Sequence, residues 1–437
     1  MNRRFFIKTT SMATAMTSAT PLFSIAGEAK RVFKVALIGC GGRGNSALGN
    51  IKEAAKILGC KVELAACADV FESRAKATAK ANGCDEKYAF VGLNGYKEAI
   101  QRAEIVLLTT PLSFRPRHLA ACIAAKKHVF AEKGVAVDGP GVRLFIETSR
   151  KAAKEGLTIV AGTQRRHQPG YLAQAKALKS GLVSPVIGGN VYWNGQVPWV
   201  RLREKGWSNK QYLCANWLNF TSLSGDHICE QHVHNIDVAN WFIGRFPKSA
   251  LGLGFRARRV SGDQYDFYGI DYDYGEGVHI HSMCRQIDGC HNNIAEIFRT
   301  RDSIIYGGGL VRKINGEKIK LPQDNFPTRN QLVLEHVDLL RSVMGTGPYL
   351  NEGERVALST ACAIIGRISA HTGQIVRLSD ILTNTRSSFY SMTCRPTPEE
   401  FESEDDVKMI PELNHAPDLE GVIDLPGKPW RKAIRKI

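Results

Sequence analysis

The sequence predicts an α/β protein in two main parts. A doubly wound parallel-sheet domain comes first, and an α+β domain with a large, open, mainly antiparallel sheet follows. Three observations carry this. Between residues 32 and 162, short β-branched runs alternate with helical patterns, an arrangement that needs parallel strands covered on both faces. After Gly162 the texture changes to aromatic-rich strand segments separated by glycine turns. At 437 residues, 43% apolar and 23% charged, the chain is long enough for two cores and too apolar to default to disorder.

The elements follow in order. Strands are expected at Phe33–Ile38, Val62–Ala68, Ile105–Thr109, His128–Ala131 and Thr158–Ala161, with helices between them such as Ser46–Leu58 and Val142–Glu155. A helix near Tyr171–Ser180 leads into strands at Gly188–Trp193, Ala250–Arg258, Tyr265–Tyr274, Gly277–Arg285 and Ile294–Phe298. Tyr274-Gly275-Glu276-Gly277 and Asp288-Gly289 supply turns between them. Helical patterns return at Gln331–Met344 and Glu352–Thr372, and a proline-rich, acidic tail follows Arg395. The expected boundaries are a leader at 1–29, a first domain at 32–162, a second at 163–395 and a C-terminal arm at 396–437.

The first strand runs into Gly39-Cys40-Gly41-Gly42-Arg43-Gly44, and Asp69 closes the second strand. Gly39, Gly41 and Gly44 have G-x-G-x-x-G spacing. The first glycine allows a tight turn, the second lets a pyrophosphate approach the backbone, and the third lets the helix pack close to the sheet. A strand before, a helix after and an acid at the end of the next strand make this a Rossmann nucleotide-binding pattern, with Gly42 and Arg43 inside the loop. Asp69 would accept from the adenosine ribose hydroxyls and repel a 2′-phosphate, which favours NAD over NADP. Arg74, one helical turn on, partly offsets that preference. Thr110 and Pro111, at the end of the third predicted strand, are expected beside the cofactor.

Ala131-Glu132-Lys133-Gly134 ends the fourth predicted strand, at the carboxyl edge of the sheet where ligands of such folds bind. Glu132 and Lys133 are therefore expected at the cofactor rim. The Lys133 ammonium could hold a substrate hydroxyl and stabilise an alkoxide as it forms, or simply cap a strand end. The run Ser224–Trp241 places His227, Glu230, Gln231, His234 and Asp237 on one face if it is a single helix. Three readings stay open. A histidine with a carboxylate one turn away can handle protons; His227, Glu230 and His234 could bind a metal, although no H-E-x-x-H pattern is present; or the group could be satisfied polar residues between domains.

Taken together, the glycine turn, Ala-Glu-Lys after the fourth strand and the His-x-x-Asp-x-x-x-Trp run ending at Asp237 and Trp241 resemble the glucose–fructose oxidoreductase, inositol dehydrogenase and rhizopine catabolism (Gfo/Idh/MocA) family over roughly residues 32–373. The resemblance implies nicotinamide-dependent oxidation of a ring hydroxyl of a sugar, glycoside or polyol. The family lysine falls on Lys133, its proton-handling histidine on His234 and its aspartate on Glu230. His234 would take the hydroxyl proton, Glu230 would orient it or bind a hydroxyl, and Lys133 would lower the hydroxyl pKa. No resident metal is implied. Two departures stand out: Gly134 replaces the usual proline, permitting that backbone without enforcing it, and Glu230 is one methylene longer than aspartate.

Further substrate-binding candidates are Arg165, Arg166 and His167 at the opening of the second domain, whose arginines could equally form structural ion pairs; Trp193, Asn194 and Trp217 as stacking or polar walls, or else as packing; and His227 and Gln231. Tyr171 and His118 carry no assignment from sequence.

The net charge of +16 invites a nucleic-acid reading, but no long basic run or nucleic-acid-binding motif accompanies it. Asn2-Arg3-Arg4-Phe5-Phe6-Ile7-Lys8, followed by a Ser/Thr/Ala-rich stretch to Ala26, resembles a twin-arginine export signal. That implies a periplasmic mature protein, exported already folded and without membrane insertion. It matches the exported branch of the family, which keeps its nucleotide tightly bound. Eleven cysteines, an odd number without C-x-x-C, are expected to be mostly free thiols, Cys284 and Cys290 being the only nearby pair that could bridge. An open sheet face makes a homodimer or homotetramer the expected assembly. Two rivals stand beside the dehydrogenase: a glycosidase using transient oxidation, elimination and reduction, and a sugar-binding relative without turnover.

Overall fold

The computed structural model describes residues 31–259 and 261–409. The expected leader and the end of the C-terminal arm lie outside the described residues. Six strands build the first sheet: β1 (Val32–Ile38), β2 (Lys61–Asp69), β3 (Ala89–Val91), β4 (Ile105–Leu108), β5 (His128–Ala131) and β6 (Ile159–Ala161). They are parallel, in the order β3-β2-β1-β4-β5-β6, with the reversal of strand order between β1 and β4. Ligands of doubly wound sheets bind outside the carboxyl ends of the strands at such a reversal. Val35 to Leu37 of β1 and all of β4 are fully buried because helices cover both faces. The three-residue β3 was not expected, since Ala89-Phe90-Val91 is too short for an alternation to show.

Helices between these strands begin and end for local reasons. Gly139–Lys154 is capped by Asp138, whose Oδ1 accepts from Gly141 N at 2.9 Å, and it carries Lys151 and Lys154 in its last turn. Gln331–Met344 starts at Asn330, whose side chain accepts from Leu332 N at 3.0 Å, and stops at Gly345 with φ +70°.

The second sheet contains β7 (Gly188–Gly195), β8 (Ser249–Phe255), β9 (Phe267–Asp273), β10 (His279–Gln286), β11 (Asn293–Arg299), β12 (Ser303–Tyr306), β13 (Leu310–Lys313) and β14 (Val376–Arg377). Their order is β13-β12-β11-β7-β10-β9-β8-β14, antiparallel except for the parallel β7–β10 pair. The helix Gly353–Thr372, buried over most of its length, packs against β8 on one side and the helix Gly139–Lys154 on the other, joining the two halves. All eleven cysteines are free, Cys284 and Cys290 included.

One expectation needs correction. The run from His227 to Asp237 is not a single helix. Asp226, with φ +71°, starts a short helix His227–Glu230, the chain kinks at Gln231 and His232, and a second helix runs Val233–Ile243. A non-glycine residue in the left-handed region is disfavoured, and here a buried set of bonds holds it. The Asp226 carboxylate accepts from His227 N at 2.5 Å, Tyr268 Oη at 2.6 Å, His227 Nδ1 at 2.7 Å and Tyr265 N at 3.0 Å.

Candidate active site

The glycine turn forms a cradle at the end of β1. A Cβ on Gly44 would stand 2.0 Å from the Gly39 carbonyl oxygen, so the helix Gly42–Ile57 can approach the turn only without a side chain there. Gly39 sits at φ +95°, and Thr109 Oγ1 donates to its carbonyl at 2.7 Å. At Gly41 a Cβ would meet nothing within 4 Å, leaving open space beside the loop backbone. That space belongs to a cleft along Gly39, Gly41, Asp69, Arg74, Thr110 and Pro111. The open backbone at Gly41 and the carboxylate of Asp69 fit a dinucleotide, with a pyrophosphate at Gly41 and the loop backbone and an adenosine ribose at Asp69.

Asp69 is already engaged: Oδ2 accepts from Cys40 N at 2.8 Å and Oδ1 from Phe71 N at 2.9 Å. Burial raises its pKa, and the two backbone donors partly offset this. Arg74 lies over the Phe71 ring at 4.3 Å. Arg43 and Glu132, both expected at the cofactor, are paired with one another through Arg43 Nη2, while Arg43 Nη1 has no partner among the described residues. Arg43 Nη2 reaches Glu132 Oε1 at 2.6 Å and Glu335 Oε1 at 2.9 Å, which ties the glycine loop to the residue preceding Lys133.

The Glu132–Gly134 segment is held from below by Arg115. This buried guanidinium donates to the carbonyls of Glu132, Lys133 and Gly134, and burial lowers its pKa to about 10. Gly134 is tighter than its sequence suggested. A Cβ there would lie 2.5 Å from Leu112 Cδ2 and 2.6 Å from the Cys229 carbonyl oxygen, so the position excludes side chains rather than merely tolerating glycine.

Lys133 Nζ donates to Glu230 Oε1 at 2.8 Å and to the Glu230 carbonyl. Glu230 therefore partners the lysine. The kink after it separates it from His234, with which a continuous helix would have aligned it. His234 is 5% exposed, and its Nδ1 has no partner among the described residues. Burial, and then the positive charges of Lys133 and Arg165, hold its pKa well below 6.5. The ring stacks on Trp193 with centroids 5.7 Å apart. A neutral imidazole thus lies within electrostatic reach of the ammonium on the strap at the end of β5. A neutral imidazole can accept a hydroxyl proton, and the ammonium can stabilise the developing oxyanion.

The other expected residues divide. Arg165 stays near the group, 5.7 Å over the Trp193 ring, but is paired with Glu296. Glu296 also accepts from Asn235 Nδ2 at 2.6 Å and Tyr171 Oη at 2.8 Å. Arg166 is taken by Asp237, at 2.7 and 3.1 Å, and Asp237 also binds Arg355. His167 is buried against Asp338 at 2.6 Å. Burial opposes protonation there, but Asp338 and Glu352 raise its pKa to about 10. His227 turns inward onto Asp226 and Tyr268, away from Glu230. Gln231 accepts from Gln286 Nε2 at 2.9 Å. Asn194 follows Trp193 in β7 and so faces the opposite side of the sheet, where its Nδ2 meets Met283 Sδ. Trp217 lines the nucleotide cleft, not the sugar side. No metal-binding cluster occurs among the described residues.

Arg115, Glu296, Glu335 and Asp226 were not singled out from sequence. Buried ion-pair and carbonyl-clamp residues carry no spacing signal; a charged residue inside an apolar run, as Glu335 is, comes nearest to one.

Residues 33–162 match the Gfo/Idh/MocA oxidoreductase family model, described as an NAD-binding Rossmann fold. A scyllo-inositol 2-dehydrogenase (NADP(+)) of Bacillus subtilis is 28% identical over 177 residues, 40% of this chain and 43% of that protein. A 2,7-anhydro-N-acetylneuraminate hydratase of Escherichia coli is 24% identical over 151 residues, 35% of this chain and 36% of that protein. The chain thus spans less than half the length of these two curated relatives. The scyllo-inositol dehydrogenase of Lactobacillus casei, solved with NAD(H) and scyllo-inositol, shares the fold with a TM-score of 0.60 at 16% identity, covering 80% of this chain and 100% of that chain. The family match covers the first domain, and the structural likeness extends over both as a shared fold.

Proposed function

We propose that the protein is a nicotinamide-dependent dehydrogenase that oxidises or reduces a ring hydroxyl of a sugar, glycoside or polyol. The observation that carries this is Lys133 at the carboxyl end of β5, held by Glu230 and within electrostatic reach of a buried, neutral His234, in the same domain pair as a cleft that runs along the glycine turn and Asp69. Gly39, Gly41, Gly42, Gly44, Asp69, Thr110 and Pro111 would hold the nucleotide, which when bound supplies the hydride acceptor. Lys133 orients the substrate hydroxyl and stabilises negative charge on its oxygen, while Glu230 fixes the ammonium. His234 receives the hydroxyl proton, and Trp193 behind its ring keeps it in place. Asp69 favours NAD.

The reading extends to an exported, periplasmic protein with a tightly held cofactor, supported by Arg3-Arg4 and the leader composition. It extends also to self-association. Leu251, Leu253 and Phe255 are half-exposed or more on one face of β8, and the register continues that face through Gly269 to Met283.

Purified protein supplied with NAD and a panel of inositols, aldoses and glycosides should reduce the nicotinamide with at least one of them. Lys133→Met and His234→Asn should each lower this rate by at least about 10²-fold while nucleotide binding survives. Unchanged turnover in both variants would remove them from the reaction. The hydratase name of the E. coli relative denotes no net oxidation, which favours a second reading of transient oxidation, elimination and return of the hydride. Release of an aglycone without accumulation of a keto-sugar would select it.

A further inference from the structure

The adenosine end of the nucleotide cleft is not walled by the first domain alone. Cys214 and Trp217, both from the second domain, line it opposite Asp69 and Leu93. They belong to the helix Asn209–Ala215 and the turn Trp217–Asn219 that follows it. This segment packs in a small apolar core that also takes Phe71 and Phe114 from the first domain and Phe401 and Val407 from the C-terminal arm. Phe401 is fully buried and meets Phe114 edge-on at 5.4 Å, and Trp207 lies 5.2 Å from the Phe71 ring.

Polar contacts fasten the arm at both ends. Toward the first domain, Glu402 Oε2 accepts from Arg117 Nη2 at 2.8 Å, and the Glu402 carbonyl accepts from Asn94 Nδ2 at 3.0 Å. Toward the second-domain segment, the Asp406 carboxylate accepts from Asn209 N at 2.8 Å and Lys210 N at 3.0 Å, satisfying the first turn of that helix. Lys210 Nζ donates to the Ser403 carbonyl at 2.7 Å. The arm therefore bridges the two sides of the cleft instead of trailing over one of them.

A second observation points into the same space. His118 lines the cleft and is 3% exposed, with its ring 4.0 Å from that of Tyr96. Its Nδ1 is paired with Thr110 Oγ1 at 3.1 Å, whereas Nε2 has no partner among the described residues. A buried polar atom without a partner is disfavoured unless a ligand or water completes it.

We propose that residues 207–220 and the arm residues 396–407 form a clasp over the adenosine end of the cleft. Trp217 and Cys214 are its outer wall, and His118 Nε2 is the group left free for the nucleotide. A dinucleotide held this way leaves only when the arm releases Arg117 and the helix Asn209–Ala215. The inference rests on the nicotinamide reading above and concerns how that nucleotide is retained.

The test follows NADH release from the full chain, by loss of energy transfer from tryptophan to NADH after a chase with excess ADP-ribose. The charge variant Glu402→Gln/Asp406→Asn and the packing variant Phe401→Ala should each release NADH at least about tenfold faster than the wild type. Near-ultraviolet circular dichroism checks that each variant is folded, and the charge variant stands alone if Phe401→Ala is not. His118→Phe should weaken ADP-ribose and NADH binding by the same factor, because the lost contact is on their shared half. Glu404→Gln, exposed on the same arm, should release at the wild-type rate. Wild-type protein that binds NADH but whose arm variants release it within about twofold of its rate would overturn the clasp alone. Wild-type protein that binds no NADH would overturn the nucleotide reading and the clasp with it.

Discussion

At Gly134 the strap leading from Lys133 passes so close to the helix His227–Glu230 that the Cys229 carbonyl takes the place of a side chain. Gly134→Pro should therefore destabilise the fold by about 1–3 kcal/mol through overpacking, and should lower turnover by displacing Lys133. Urea denaturation and steady-state kinetics on the same variant check both. Lys133 and His234 are the residues on which chemistry depends. Removing a positioned proton acceptor typically lowers rates by about 10²–10⁴, so His234→Asn should fall in that range with NADH affinity preserved. Because burial keeps the His234 pKa well below 6.5, protonation of this residue should depress kcat/KM only below pH 6.5. A half-maximal point above pH 7 that disappears in His234→Asn would contradict the assignment.

The elements explain which parts of this were legible in the sequence. The glycine turn could be read because each glycine answers a backbone constraint, seen in Gly44 against the Gly39 carbonyl, and because β1 and β2 are long enough to show their strand character. Lys133 could be read from its place at the end of a strand. The helix break at Gln231–His232 could not. Helical spacing from His227 to Asp237 is intact in the sequence, and the kink that interrupts it is held by bonds to β10, from Gln286 Nε2 to Gln231 at 2.9 Å and between His232 Nε2 and Ser282 Oγ at 2.6 Å. Trp193 and Asn194 were both placed in the site from their chemistry, but strand alternation allows only one of them there.

Arg166 and His167 were candidate substrate contacts from sequence, with structural ion pairing as the alternative for the arginines; the structure pairs them with Asp237, Asp338 and Glu352, partners too far off in sequence to be named there, and Arg355 completes the cluster. This cluster carries a pH dependence whose sign is fixed. The His167 pKa rises from 6.5 to about 10 on folding, so its contribution to stability is complete below pH 6.5 and is lost as pH rises through 10. Glu352 has a lowered pKa, so its contribution is present above pH 4.5 and is lost as pH falls through its folded-state value. The melting temperature of the wild type should decline between pH 6.5 and 10, and that of His167→Gln should decline less.

On the scale of the whole molecule, the first domain is joined to residues of the second by the helix Gly353–Thr372, by the Arg43–Glu132–Glu335 link and by the arm. The second of these ties the nucleotide loop, the Lys133 strap and the helix Gln331–Met344 to one guanidinium. Arg43→Met would leave Glu132 and Glu335 buried without their counter-charge, so it should destabilise the fold by about 3–5 kcal/mol. Glu335→Gln should cost much less, because burial and Glu132 already push the Glu335 carboxyl toward its neutral form. Chemical denaturation of the two variants separates these outcomes.

The central claim is that Lys133 and His234 act on a hydroxyl presented to a nicotinamide in the first-domain cleft. Its most direct test is the rate of nicotinamide reduction when wild type, Lys133→Met and His234→Asn, each saturated with NAD, meet the same cyclic polyols and sugars. Reduction by the wild type at least about 10²-fold faster than by either variant, with equal nucleotide occupancy in all three, is the predicted result. Equal rates in the three proteins, or a wild type that holds NAD and reduces none of it across the panel, would contradict the account.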